Sequence, residues 1–121
     1  METVELRTVI RDRLLLDIEK VYFGVAPADA PDLRAVFELR QLSYEDGMSI
    51  MELTVELFDY GTDTELLEAI ADRVQANFNH YFVLREAFSA SFYPEKRQPV
   101  YEDDKNIIRR RLTFQVRVCW R

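Results

Sequence analysis

The residues best suited to bond-making chemistry in this chain are its single histidine, His80, and its single cysteine, Cys119. His80 stands between Asn79 and Tyr81, with no cysteine or carboxylate at metal-ligand spacing around it. A cationic side chain is favoured beside a helix C-terminus, so a plain helix-end role suits it better than a metal or general-base role. Ser43, Ser49, Ser89 and Ser91 lack the glycine-flanked elbow that exposes a nucleophile. Three scattered glycines cannot build a phosphate-cradling loop. Glu102-Asp103-Asp104 offers three carboxylates in a row, but a calcium loop needs alternating oxygen ligands and a mid-loop glycine. The reading is a solvated acidic loop, and the sequence supports neither catalysis nor a cofactor nor a metal.

The arginines carry more information. Arg109, Arg110, Arg111, Arg117 and Arg121 place a basic stripe on the polar side of the chain's last segment. Single-stranded nucleic acid would call for aromatics on that same side to stack bases, whereas Phe114 and Trp120 alternate to the other. A net charge of −6 points the same way, because phosphate binding draws its affinity from basic residues that displace counterions. Glu38, Glu52 and Glu56 stand on neighbouring strand candidates, where opposite charges across a sheet stabilise by about 0.2–1 kcal/mol. Cross-strand pairing, or contact with an acidic neighbouring subunit, is the preferred role of the stripe.

These residues must be positioned by a small sheet. Leu112, Phe114, Val116, Val118 and Trp120 alternate with Thr113, Gln115, Arg117 and Cys119, the period-two mark of a half-buried strand. Between Thr3 and Ile18, apolar residues at 6, 9, 10, 14 and 18 predict an amphipathic helix. Val21-Tyr22-Phe23 is a short β-favouring run, and the two prolines of Ala26 to Asp32 then make a surface loop. Ala35 to Tyr44 and Ile50 to Phe58 pair as a hairpin across the turn residues Glu45-Asp46-Gly47. Thr62 and Glu65 have capping-box spacing, with Asp63 as the competing cap, at the start of a second helix. In it Leu66, Ile70, Val74 and Phe78 step by four, reinforced by Leu67 and Ala71. Phe82 to Tyr93 holds the next strand, which Pro94 stops, and Pro94 to Asn106 is a long exposed connection.

The fold class expected is therefore α+β, in the order α-β-β-β-α-β-β: an antiparallel sheet of four or five strands with two amphipathic helices on one face. With 121 residues, 48% of them hydrophobic, residues 1–121 form a single domain with one core. No apolar run approaches the ~20 residues of a membrane span, and the acidic start Met1-Glu2-Thr3-Val4-Glu5 is unlike a signal peptide. A lone cysteine excludes an internal disulfide and fits a reducing compartment. Tyr22, Tyr44, Phe58, Tyr60, Tyr93 and Tyr101, at strand or loop edges, exceed what one small core readily uses, and some of them are expected to meet neighbours.

Four stretches carry a family likeness. They are the N-terminal amphipathic helix; Val36-Phe37-Glu38-Leu39 running through a turn into Leu53 to Asp59; Thr62-Asp63-Thr64 opening Leu66 to Val74; and the close from Asp103 to Val118. In pattern and order the sequence resembles the tail-completion, or tail-terminator, proteins of long-tailed bacteriophages. The resemblance implies a structural subunit of the virion's tail or neck, made in the bacterial host, that assembles as a ring, usually a hexamer. Such a ring caps the tail-tube protein and meets the head-connector or head-completion protein, while DNA passes through without being specifically bound. An acidic lining would let phosphates slide. A head-closure or neck adaptor shares these traits, and a small-ligand domain with a cleft between the second helix and the sheet is the rival of another class. The candidate interface comprises Glu45, Asp46, Tyr101, Glu102, Asp103, Asp104, Arg109, Arg111 and Arg117, and the loops Val25 to Leu33, Ser43 to Ile50 and Pro94 to Asn106 are expected to make the contacts between subunits and with partners.

Overall fold

A computed structural model describes residues 3–121. Its elements follow as α1 (Thr3–Leu14), β1 (Val21–Phe23), β2 (Arg34–Glu45), β3 (Met48–Tyr60), α2 (Glu65–Phe78), β4 (Phe82–Leu84), β5 (Phe88–Pro99) and β6 (Ile107–Trp120). The strands form one sheet in the order β1-β2-β3-β6-β5-β4. This is α+β, but the sheet has six strands rather than four or five, and it is mixed. β1 runs parallel to β2 while every other pair is antiparallel. A parallel neighbour requires a crossover, and the proline-bearing loop between Phe23 and Arg34 supplies it.

The C-terminal alternation sits at the centre of the sheet. β6 pairs with β3 from Met48↔Cys119 to Tyr60↔Ile107, and with β5 from Phe88↔Trp120 to Pro99↔Arg110. Its Leu112, Phe114, Val116 and Val118 are buried. They face α2, which buries Leu67, Ile70, Ala71, Val74 and Phe78. Leu66, read as part of that stripe, is 52% exposed, because Leu67 takes the inward position one residue on. Phe78 meets Phe92 and Phe114 at ring-centroid distances of 5.2 and 5.3 Å. Burying each such side chain stabilises by roughly 1.5–3 kcal/mol.

α1 buries Leu6, Val9, Ile10 and Leu14 in the same core, but it stops at Leu14 rather than Ile18. The turn that follows still buries Ile18. Asp17 in that turn accepts a hydrogen bond from Asn77 Nδ2 at 2.6 Å and pairs with Arg73. Arg13 donates to the Asn77 carbonyl through Nε at 3.0 Å and its terminal nitrogen at 2.8 Å. α2 has no basic residue in its own last turn, so α1 supplies the cation its C-terminus favours.

Other boundaries moved for identifiable reasons. The capping box at Thr62 and Glu65 does not form; the competing residue Asp63 accepts the Glu65 N–H at 2.9 Å. The hairpin turn shrinks to Asp46-Gly47, both with positive φ (52° and 77°), the two-residue turn whose twist matches the strands. Ser43 to Ile50 is thus mostly strand, with a register shift between Gln41 and Ser43. The Phe82 to Tyr93 run splits into β4 and β5, and β5 continues through Pro94 to Pro99, leaving a connection of only residues 100–106. Pro94 is tolerated because it lies at a bulge, with the register shifting between Pro94 and Lys96.

Candidate interaction site

Alternation along the strands leaves one face of the sheet without helices. Arg34, Val36 and Glu38 of β2, Glu52, Thr54, Glu56 and Phe58 of β3, and Arg109, Arg111, Thr113 and Arg117 of β6 share it. The register sets Glu56 opposite Arg111. Glu56 accepts from Arg111 Nε at 2.5 Å and from Arg109 Nε at 3.0 Å, while Arg109 also reaches Glu102 at 2.7 Å. The Glu56 bond holds the Arg109 guanidinium above its ordinary pKa, against the burial that opposes its charge, and Glu102 adds to it. Arg40 pairs with Glu52 farther along. The cross-strand pairing expected of the basic stripe is present at Arg109 and Arg111, whereas Arg117 donates to Gln115 of its own strand.

Arg110 departs from that expectation. Alternation turns it to the helix side, where it pairs with Glu68 of α2. Arg97 joins them, bonding Glu68 at 2.7 Å and Asp72 at 2.6 Å. The Arg110 bond, followed by Arg97, outweighs partial burial and lowers the Glu68 pKa. Burial disfavours the charged form of Arg97, yet its bonds to Asp72 and Glu68 raise its pKa. The cluster fastens α2 to the sheet through Glu68 and Asp72, on the side where the rival small-ligand reading would put its cleft. An open depression lies beside it, at Asp72, Gln75 and Pro94.

The candidate interface residues fall into two groups at opposite ends of the sheet. Glu102, Arg109 and Arg111 come together through Glu56, with Tyr101 (89% exposed), Asp103 and Asp104 on the adjoining loop. Glu45 and Asp46 lie at the other end, on the β2–β3 turn, exposed and without ion-pair partners among the described residues. Arg117 is also toward that end, opposite Ile50, and its guanidinium lies 5.2 Å from the Tyr93 ring centroid. Of the aromatics, Tyr44, Tyr60 and Tyr101 are exposed, whereas Tyr22, Phe58 and Tyr93 are half-buried. His80 follows α2 with φ 56° and sets its ring edge-on to Tyr93. No cluster of three or more metal-ligating side chains occurs among the described residues, and none of their helices is long and apolar enough to cross a membrane.

Sequence reasoning missed a cavity of about 440 Å³ on the bare face, beneath the start of the crossover loop. Gly24, Arg34, Glu56, Phe58, Arg109 and Arg111 are among its walls. Arg34 stacks 4.3 Å over Phe58, and its terminal nitrogen reaches the carbonyls of Pro31 and Asp32, each at 3.3 Å. Its Nε is shut from solvent with no hydrogen-bond partner. Carrying the alternation back from Glu38 to Arg34 was the signal available; the loop that roofs the cavity left none.

No family model matches the chain, and no curated protein does. Among solved structures, a chain of one described as "Virion of native gene transfer agent (GTA) particle" shares the fold, with a TM-score of 0.67. The two are 15% identical, over 96% of this chain and 90% of that one.

Proposed function

We propose that this chain is a non-catalytic structural subunit of a phage-like virion, acting as a tail terminator: a ring that closes the tail tube and presents a surface to the head. The observation that carries the reading is the nearly end-to-end match in fold to a chain from a gene transfer agent virion. The sequence resemblance to tail-completion proteins selects the position within the particle. The separated charged ends of the sheet support assembly, since a ring contact joins two different patches of one chain.

Under this reading the partners are further copies of the chain, the tail-tube protein and a head-completion protein. The acidic surplus keeps passing DNA from adhering. The test is deletion of the gene in a strain that produces the particle, followed by electron microscopy. Tails of unregulated length that fail to join heads are expected, with both defects repaired by the intact gene. Deletion particles with normal tails on normal heads would refute the role.

A small-ligand domain is the second reading, favoured by the volume of the bare-face cavity, which lies within the range of ligand pockets. Its walls carry three guanidiniums and two carboxylates, Glu38 and Glu56, where ligand pockets are mostly apolar.

A further inference from the structure

The geometry points to the bare-face cavity as a socket that receives a carboxylate from the Glu45–Asp46 turn of a neighbouring copy. This rests on the ring reading above and names the junction between its subunits.

Among the cations lining the cavity, Arg109 and Arg111 are satisfied by Glu56 and Glu102. Arg34 has no carboxylate in ion-pair reach among the described residues, and its Nε is enclosed without an acceptor. The enclosed Nε is beyond the reach of anything entering, but the guanidinium as a whole lines the cavity and its charge lacks a counterion, which one anion entering from outside supplies. Phe58 supports the guanidinium at 4.3 Å, so its plane is set before anything arrives. A chain of phosphates would also meet Glu38 and Glu56 in the same cavity, whereas a single side-chain carboxylate matches the single unmet charge.

The position of the plug follows from the topology. Asp103 and Asp104 adjoin Glu102, which already binds a wall of the socket in its own chain. They lie at the socket's own end of the sheet. Glu45 and Asp46 lie at the far end of β2, the strand that Arg34 begins. The eleven residue steps from Arg34 to Glu45 separate socket from plug by about 36 Å at the usual strand rise of ~3.3 Å. Two complementary patches at opposite ends of one chain make a head-to-tail contact, which closes into a ring when the rotation allows. Leu42, Tyr44 and Met48, each about half exposed beside the turn, supply apolar surface for the same contact.

The test uses two full-length variants, Arg34→Glu and the pair Glu45→Gln with Asp46→Asn, sized by light scattering with tail-tube protein present. Asparagine tolerates the positive φ at position 46. Each variant alone is expected to lose ring assembly, by at least tenfold in the concentration required. Mixed in equal amounts, they should form dimers and nothing larger, because the mixture retains one intact turn and one intact socket per pair. A misfolded variant would not form that dimer, so the mixture separates a lost contact from a lost fold. Rings from either variant at wild-type concentration would overturn the socket alone, as would a mixture with no dimer from variants that melt normally. A wild-type chain that stays monomeric with tail-tube protein would remove the ring reading and the socket with it.

Discussion

On the helix side of the sheet Phe78 touches Phe92 and Phe114, and Leu53, Val55, Leu112 and Val116 around them are closed to solvent. On the other side of the same strands, Glu56 draws in Arg109 and Arg111, and Arg34 waits beside them without a counterion among the described residues. The first face is stabilised by apolar area removed from water, a term that is large and indifferent to direction. The second is held by ion pairs between half-exposed groups, whose Coulomb attraction is mostly offset by desolvation. Folding stability therefore resides chiefly on the helix face. Changes on the helix face should act on folding, and changes on the bare face and at the sheet ends should act on assembly.

The largest effect expected follows from the central place of β6. Removing residues 112–121 takes away a strand paired on both sides, so the truncated chain should show no cooperative melt by circular dichroism. A retained melt would show that the helix face does not depend on this strand. Phe78→Ala comes next, at about 3–5 kcal/mol by denaturant unfolding, from lost transfer energy and the cavity left behind. Glu56→Gln should cost less, about 1–3 kcal/mol, because it weakens charge-assisted bonds to two arginines without opening a cavity. If it costs as much as Phe78→Ala, the contrast between the faces is wrong.

The helix-side rim refines the comparison through pH. The Glu68 carboxyl is held below its ordinary pKa by Arg110 and then Arg97, so its contribution is present above the unfolded value of about 4.3 and fades as pH falls through the folded value. The stability difference between wild type and Glu68→Gln should therefore be constant near neutrality and shrink in acid. A difference that grows as pH falls would reverse the assigned sign.

How much of this was legible in the sequence depended on how local the cause was. The alternation from Leu112 to Val118 and the inward stripe of α2 were readable because each is written within one element. Asp46-Gly47 was readable because a tight hairpin needs residues that accept positive φ. Pro94 misled, since whether a proline ends a strand depends on the bulge its neighbours permit. Arg110 was assigned to the wrong face by being grouped with Arg109 and Arg111, although strict alternation from Leu112 returns it to the helix side. Of the residues clustered on the bare face, Glu102, Arg109 and Arg111 were singled out in the sequence through their charges. Arg34 was not, because its significance arises only when the crossover loop folds over Phe58.

The smallest effect on stability, under about 0.5 kcal/mol, is expected from reversing Asp103 and Asp104, whose side chains are solvated. The same reversal should impair joining of tails to heads. Particles that join normally with these charges reversed would remove the acidic loop from the account.

The central claim is that this chain works as a ring, and the mass of its assembly tests it most directly. Light scattering on the purified protein with tail-tube protein present should give a discrete species that, once the mass of bound tail-tube protein is subtracted, is a closed multiple of the 14.4 kDa subunit, at or near six copies. A single species of subunit mass over the whole concentration range would contradict it.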